Sequence, residues 1–188
     1  MTGHLVVVLP GGNAGPYTAP LLIPSLALEQ LGATVQVASY PDFRPDGLGR
    51  EDSAAFDAVV LKDVQRLVDG AEWDRITFVA KSRGTLFLSV MPALDTAATV
   101  EAVWVTPLLG FDYVQNGIVE KRWRSLIVAG SADPYHEAAA HDATCAAIHA
   151  DSLVVDGADH GLVVRGDVRR TVKGYADLAD ATLAFAQQ

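Results

Sequence analysis

A serine hydroxyl is a poor nucleophile at neutral pH; it attacks a carbonyl only when a histidine takes its proton and a carboxylate holds that histidine in the right tautomer. Three loops of this 188-residue chain carry those groups. Ser82 stands in Ala80-Lys81-Ser82-Arg83-Gly84, between the apolar run Ile76-Thr77-Phe78-Val79 and a helical stretch opening Thr85-Leu86-Phe87. Asp133 stands in Gly130-Ser131-Ala132-Asp133-Pro134, after Leu126-Ile127-Val128-Ala129. His160 stands in Asp156-Gly157-Ala158-Asp159-His160-Gly161, after Leu153-Val154-Val155. A serine on a tight turn from strand to helix, with small residues on either side, presents its hydroxyl outward while strand and helix cross closely behind it. Amides at the start of the new helix face that serine and can hold an oxyanion. The chemistry these residues suit is acyl transfer, with Ser82 as nucleophile, His160 as base and Asp133 as its orienting acid.

Each residue also has a plainer role. Ser82 can be structural. Asp133 before Pro134 can be a helix N-cap, with proline at the first helical position. His160 can be a loop histidine with Asp159 as the polar group, and Asp156 and Asp159 read as solvated turn residues. Lys81 and Arg83 flank the serine, either drawing an anionic substrate group or forming a solvent-exposed pair that offsets an acidic surface. His136-Glu137-Ala138-Ala139-Ala140-His141 resembles a zinc-binding His-Glu-x-x-His helix, but its histidines are five apart rather than four. On a helix that turns the second away from the first by about 140° instead of about 40°, so no metal is expected. His4 and His149 show no partner pattern, Cys145 reads as a small buried filler, and Trp73, Trp104 and Trp123 read as packing.

The elements that must position these groups follow from periodicity. Short apolar, β-branched runs at Leu5–Leu9, Thr34–Ser39, Arg75–Ala80, Val100–Thr106, Ser125–Ala129 and Leu153–Val155 predict strands. Helical spacing predicts helices over Thr18–Leu31, Ser53–Val68, Thr85–Leu94 and the alanine-rich Pro134–Ala150. The last, over Val168–Ala186, carries one apolar face built from Val172, Tyr175, Leu178, Ala179, Thr182 and Phe185. Nearly continuous apolar strands alternating with helices predict an α/β fold: a doubly wound, mostly parallel six-stranded sheet with helices on both faces, as one domain over residues 1–188. Tyr40–Glu51, with Pro41, Pro45, Gly47 and Gly49, reads as a surface connection. In such a sheet the ligand site lies beyond the carboxyl ends of the strands, where Ser82, Asp133 and His160 all fall.

Composition narrows the function classes. Half of the residues are apolar, enough for a continuous core without disulfides or metal. A formal charge of −9 argues against polyanionic partners, whether nucleic acid or an anionic membrane surface. A single cysteine excludes an internal disulfide and a cysteine-cluster metal site. Met1–Gly3 lead straight into Leu5–Leu9 without a basic stretch or cleavage-like site, and no run of about 18 apolar residues offers a membrane span, so the cytoplasm is the expected location.

Taken together, the elbow around Ser82 and the order Ser, Asp, His on successive post-strand loops resemble the α/β-hydrolase superfamily, and within it the small, single-domain, dienelactone-hydrolase-like branch. The resemblance runs from Leu5 to about Phe185. It departs from the family at Ala80, where the elbow usually has glycine, and at Pro10, where the first loop usually has the histidine of a His-Gly pair. It also lacks two strands with which the family often begins, and only Pro107–Trp123 lies where a cap could be inserted. The resemblance implies a serine hydrolase acting on an ester-like or other acyl bond, with no cofactor. It implies an oxyanion hole made from the amide of Arg83 and that of Gly12 or Asn13. The small-molecule substrate would sit in an open mouth walled by residues such as Tyr17, Leu108, Leu109, Phe111, Tyr113 and Tyr135, and a homodimer is compatible with exposed sheet edges. A catalytically silent hydrolase fold used for binding is the alternative. A dinucleotide site, from Pro10, Gly12 and Gly15 with Asp42, is weak because proline defeats the purpose of the first glycine.

Overall fold

The computed structural model describes residues 3–12, 15–39 and 54–188, with side chains from 57 onward in the last segment. The chain alternates strand and helix throughout: β1 His4–Leu9, α1 Ala19–Gln30, β2 Thr34–Val37, α2 Ala54–Val68, β3 Arg75–Lys81, α3 Arg83–Val90, β4 Thr99–Val105, α4 Asp112–Lys121, β5 Arg124–Gly130, α5 Ala138–Ile148, β6 Asp151–Val155 and α6 Val168–Ala186. The strands form one six-stranded sheet in the order β2-β1-β3-β4-β5-β6. Every pairing is parallel, with Leu9 opposite Ala80, Lys81 opposite Val105, and Gly130 opposite Val155 at the carboxyl ends.

Alternation along the strands sorts the core into two layers. Leu5, Val7, Leu9, Phe78, Ala80 and Trp104 face a layer built from α2, α3 and α4, with α5 packed at its margin. Val6, Val8, Val79, Val103 and Val128 face α1 and α6 through Leu21, Leu28, Leu178 and Phe185. Because both faces are covered, the central strands are buried almost residue for residue, while β2 and β6 are partly exposed edges.

Two close crossings tighten the first of these layers. A Cβ on Gly84 would lie 2.3 Å from the Leu9 carbonyl oxygen, so only glycine lets α3 cross this near to β1. A Cβ on Gly117 would lie 2.2 Å from the Ser89 carbonyl oxygen, which fixes the approach of α4 to the end of α3.

Toward the amino ends of the strands, Glu101 is fully buried and carries a polar network. Thr77 donates to its Oε1 at 2.7 Å, and Arg124 Nη2 pairs with Oε2 at 2.7 Å. His4 Nε2 lies 2.8 Å from the Thr77 hydroxyl oxygen; since that hydroxyl gives its proton to Glu101, His4 is the donor there. Arg75, whose Nε lies 3.9 Å from Glu101 Oε1, and Arg124 also reach the end of the last helix: Arg75 donates to the Ala186 carbonyl at 2.9 Å and Arg124 to that of Phe185.

Element boundaries depart from the sequence reading in several places: β2 ends at Val37 rather than Ser39, β6 begins at Asp151 rather than Leu153, and α3 ends at Val90 rather than Leu94. The helix expected from Pro134 begins only at Ala138, because Asp133–Glu137 form turns, with His136 N–H bonded to the Asp133 carbonyl at 3.0 Å. The helix expected from Thr85 begins at Arg83, immediately after the serine. Pro107–Trp123 contains α4, which Asn116-Gly117 in its middle hid from a periodicity reading. The connection 40–51 and Asp42 within it lie outside the described residues.

Candidate active site

The strand order reverses between β1 and β3, so the loops leaving their carboxyl ends part to opposite faces and open a crevice. Ser82 stands in that crevice at the turn from β3 into α3. Its backbone has φ 50° and ψ −114°, in the region that disfavours any residue with a Cβ. The surroundings hold it there. Its N–H donates to the Val105 carbonyl at 3.1 Å, and its carbonyl accepts from the Thr85 amide at 2.8 Å and the Thr85 hydroxyl at 2.5 Å. The close crossing at Gly84 lies two residues on, so strain and packing concentrate at one turn.

The other two groups meet across neighbouring strands. His160 Nδ1 lies 2.7 Å from Asp133 Oδ2, and the Asp133 side chain is 2% exposed against 27% for that of His160. The second carboxylate oxygen of Asp133 accepts the Tyr135 amide at 2.9 Å. With both oxygens engaged, the carboxylate is fixed and the ring that donates to it is held in one tautomer, leaving Nε2 as the acceptor. Tyr135 adds an edge-to-face contact with the His160 ring, centroids 5.1 Å apart. Asp133 is not the N-cap of α5; that position is Glu137. Among the described residues no hydrogen bond joins the Ser82 hydroxyl to His160.

Other predicted residues fall as follows. Arg83 opens α3, and a Cβ on Gly12 would sit 3.8 Å from its Cδ, so the stem of Arg83 lies along the first loop. Gly12 is exposed, and Asn13 lies outside the described residues. Tyr17 is 79% exposed, whereas Leu108 is buried. His136 precedes α5 rather than lying on it, so the helical angle that separated the two histidines does not apply; its ring meets that of His141 at 5.3 Å, and His141 Nε2 pairs with the Ser152 hydroxyl at 2.7 Å. Cys145 is only partly buried.

Lys81 corrects the sequence reading. Rather than a solvent-exposed partner of Arg83, it is 4% exposed, because the last residue of β3 points into the sheet's carboxyl-end packing. Desolvation lowers its pKa to about 8, against the opposing pull of Asp133 and Asp159. Its Nζ donates to the His160 carbonyl at 2.9 Å and to the Thr106 hydroxyl at 3.2 Å. Gly11 was also missed: a Cβ there would lie 3.3 Å from the Ser82 Cβ, so the loop after β1 passes directly beside the serine. The only signal for Gly11 was its place just past a strand end. For a buried lysine the residue type itself points the wrong way.

Asp159 shapes the histidine's own loop. Its Oδ1 accepts the amides of Gly161 at 2.8 Å and Val163 at 3.2 Å, and its Oδ2 pairs with Arg165 at 3.0 Å. Burial tends to raise its pKa, but these bonds and the guanidinium outweigh it and leave the pKa lowered. From α6, the Tyr175 hydroxyl donates to the Gly161 carbonyl at 3.1 Å, and Thr171 Oγ1 accepts the Val164 amide at 3.0 Å. Two clefts elsewhere, about 970 Å³ against α2 and about 670 Å³ between α3 and α4, include none of Ser82, Asp133 and His160.

No protein-family profile and no curated protein matches the chain. Solved structures do. A protein described as a hydrolase of the alpha/beta superfamily from Xanthomonas campestris pv. campestris superposes with a TM-score of 0.64 at 19% identity, over 95% of this chain and 99% of that one. An alpha-beta serine hydrolase homologue from Coxiella burnetii gives 0.69 at 16% identity, over 98% and 85%. Est1E from Butyrivibrio proteoclasticus, solved with ferulic acid bound, gives 0.70 at 15% identity, over 99% and 89%. At these identities the likeness is one of fold, and the fold is that of the α/β hydrolases. No helix among the described residues is long and apolar enough to cross a membrane.

Proposed function

We propose that the protein is a serine hydrolase acting on an ester-like or other acyl bond of a small, accessible substrate. The observation that carries this reading is the 2.7 Å pair between His160 Nδ1 and a buried Asp133, beyond the same sheet end as a backbone-strained Ser82. In the proposed reaction His160 Nε2 takes the Ser82 proton as Oγ attacks the substrate carbonyl. The resulting imidazolium is stabilised by Asp133, and its proton passes to the leaving group. Water, deprotonated by the same ring, then releases the acyl group from Ser82. The amide of Arg83, at the start of α3, and that of Gly12 or Asn13 supply the oxyanion donors; Gly11 brings their loop against the serine. An open mouth walled by the exposed Tyr17 and Tyr135 would suit a small acyl group, and the ferulic acid bound to a protein of the same fold supports that size class.

A catalytically silent binding protein is the second reading, favoured by the missing hydrogen bond between Ser82 and His160. The two separate on hydrolysis of p-nitrophenyl acetate by wild type and Ser82→Ala, with fluorophosphonate labelling located by peptide mass. Turnover and labelling that both disappear with Ser82 are expected. A folded wild type that neither turns over nor labels refutes the hydrolase reading.

A further inference from the structure

Lys81 is a charged side chain next to the nucleophile for which the proposed reaction has no use. A buried ammonium is costly unless it is hydrogen-bonded, and here both of its bonds are to structures the reaction depends on. One partner is the backbone carbonyl of His160 itself. The other is the hydroxyl of Thr106, at the turn after β4. Thr106 has φ 44°, an outlier for a β-branched residue, and is held there by its amide, which donates to the Val128 carbonyl at 2.7 Å. A single side chain therefore ties the end of the nucleophile's strand to a strained turn and to the loop bearing the base.

The titratable and charged groups around it come from three elements. Asp133 follows β5; Asp159 and His160 follow β6, with Arg165 engaged on Asp159; and Tyr175 reaches the same loop from α6. The turn after β4 contributes only the neutral Thr106.

We infer that Lys81 is a positioning residue for the acyl-transfer reaction, bracing the His160 loop against the ends of β3 and β4 so that the ring stays aligned between Asp133 and Ser82. This role rests on the serine-hydrolase reading. Charge-assisted hydrogen bonds are roughly twice as strong as neutral ones, so the brace is firmest while the amine is protonated. Desolvation brings the loss of that proton to about pH 8, within reach of ordinary assays.

Two measurements test it. In wild-type protein labelled with ¹³C at lysine Cε and histidine Cε1, one lysine should titrate near pH 8, and the His160 signal should move with the same midpoint; neither observation needs turnover. Lys81→Met, which keeps the chain length and removes the ammonium, should lower kcat about tenfold with KM within about twofold. Lys81→Arg, which keeps a cation and donors, should restore part of the loss. A lysine spectrum with no titration below pH 10, a His160 signal indifferent to the lysine, or a folded Lys81→Met with wild-type kcat overturns the role of Lys81 alone. A wild type without Ser82-dependent turnover overturns the hydrolase reading, and this role with it.

Discussion

Replacing Gly84 by alanine puts a methyl carbon 2.3 Å from the Leu9 carbonyl oxygen and 2.9 Å from its carbonyl carbon. Ordinary contact lies at about 3.5 Å, so α3 must retreat from β1 by about an ångström. Both clashing atoms are backbone in a sheet strand paired on its two sides, and no rotamer change relieves them. Overpacking of this kind costs about 1–3 kcal/mol, and the upper end applies where neither side can yield. For a chain of this length about 3 kcal/mol corresponds to a fall in Tm of roughly 6–12 °C. Because Ser82 is two residues from the clash, the displacement reaches the proposed nucleophile, and a misplacement of about 1 Å costs about a hundredfold in rate. Gly117→Ala is the control, with an equally short 2.2 Å approach to the Ser89 carbonyl but at the opposite end of α3. It should lose comparable stability while keeping its rate per folded molecule. Thermal melts together with ester turnover corrected for folded fraction check both. A Gly84→Ala protein with Tm within about 2 °C of wild type and full turnover would refute the reasoning.

Lys81 also predicts a pH dependence of stability. Its pKa is lowered from 10.5 to about 8 on folding, so between those values the unfolded chain binds more protons and stability should rise with pH. The rise attributable to Lys81 has a ceiling of about 3 kcal/mol. Urea midpoints at pH 7.5 and pH 10 should differ less in Lys81→Met than in wild type, and equal slopes would contradict the burial. Glu101→Gln leaves Arg124 and Arg75 without their buried carboxylate and should cost about 3 kcal/mol or more; rate per folded molecule should hold, since the network sits at the opposite end of the sheet from Ser82. His149 ends α5 in the left-handed conformation at φ 54°. His149→Gly should therefore raise stability by about 1 kcal/mol without changing the rate, as read from the same melts.

The strands were legible because buried parallel strands need apolar runs, and six such runs appear with little else to confuse them. The bounds of α6, Val168–Ala186, were legible, but not the whole of its inward face: Val172, read as part of it, is exposed, and Thr171 and Gly174 are buried instead. α4 was not, because glycine at 117 is there for a backbone approach to Ser89 that only the fold reveals. The positions of Ser82, Asp133 and His160 beyond strand ends could be read from order alone, and the meeting of the last two rests on β5 and β6 being neighbours. The burial of Lys81 could not be read, because its residue type predicts exposure and the partners that tolerate it, Thr106 and the His160 carbonyl, come from distant parts of the chain. Nor does one-dimensional order tell that the helix after Asp133 is delayed to Ala138, which frees the carboxylate from a cap to face the histidine.

The double anchorage of α6 fixes the register of that helix along the sheet. At its start this helix holds the His160 loop through Thr171 and Tyr175; at its end Phe185 and Ala186 are gripped by arginines of β3 and β5. A helix tied to both ends of the sheet has no freedom to slide along its own axis, the small shear by which packed helices commonly move past one another. The face of the sheet covered by α6 is thereby the stiff one, a fixed wall against which the loop carrying His160 is seated.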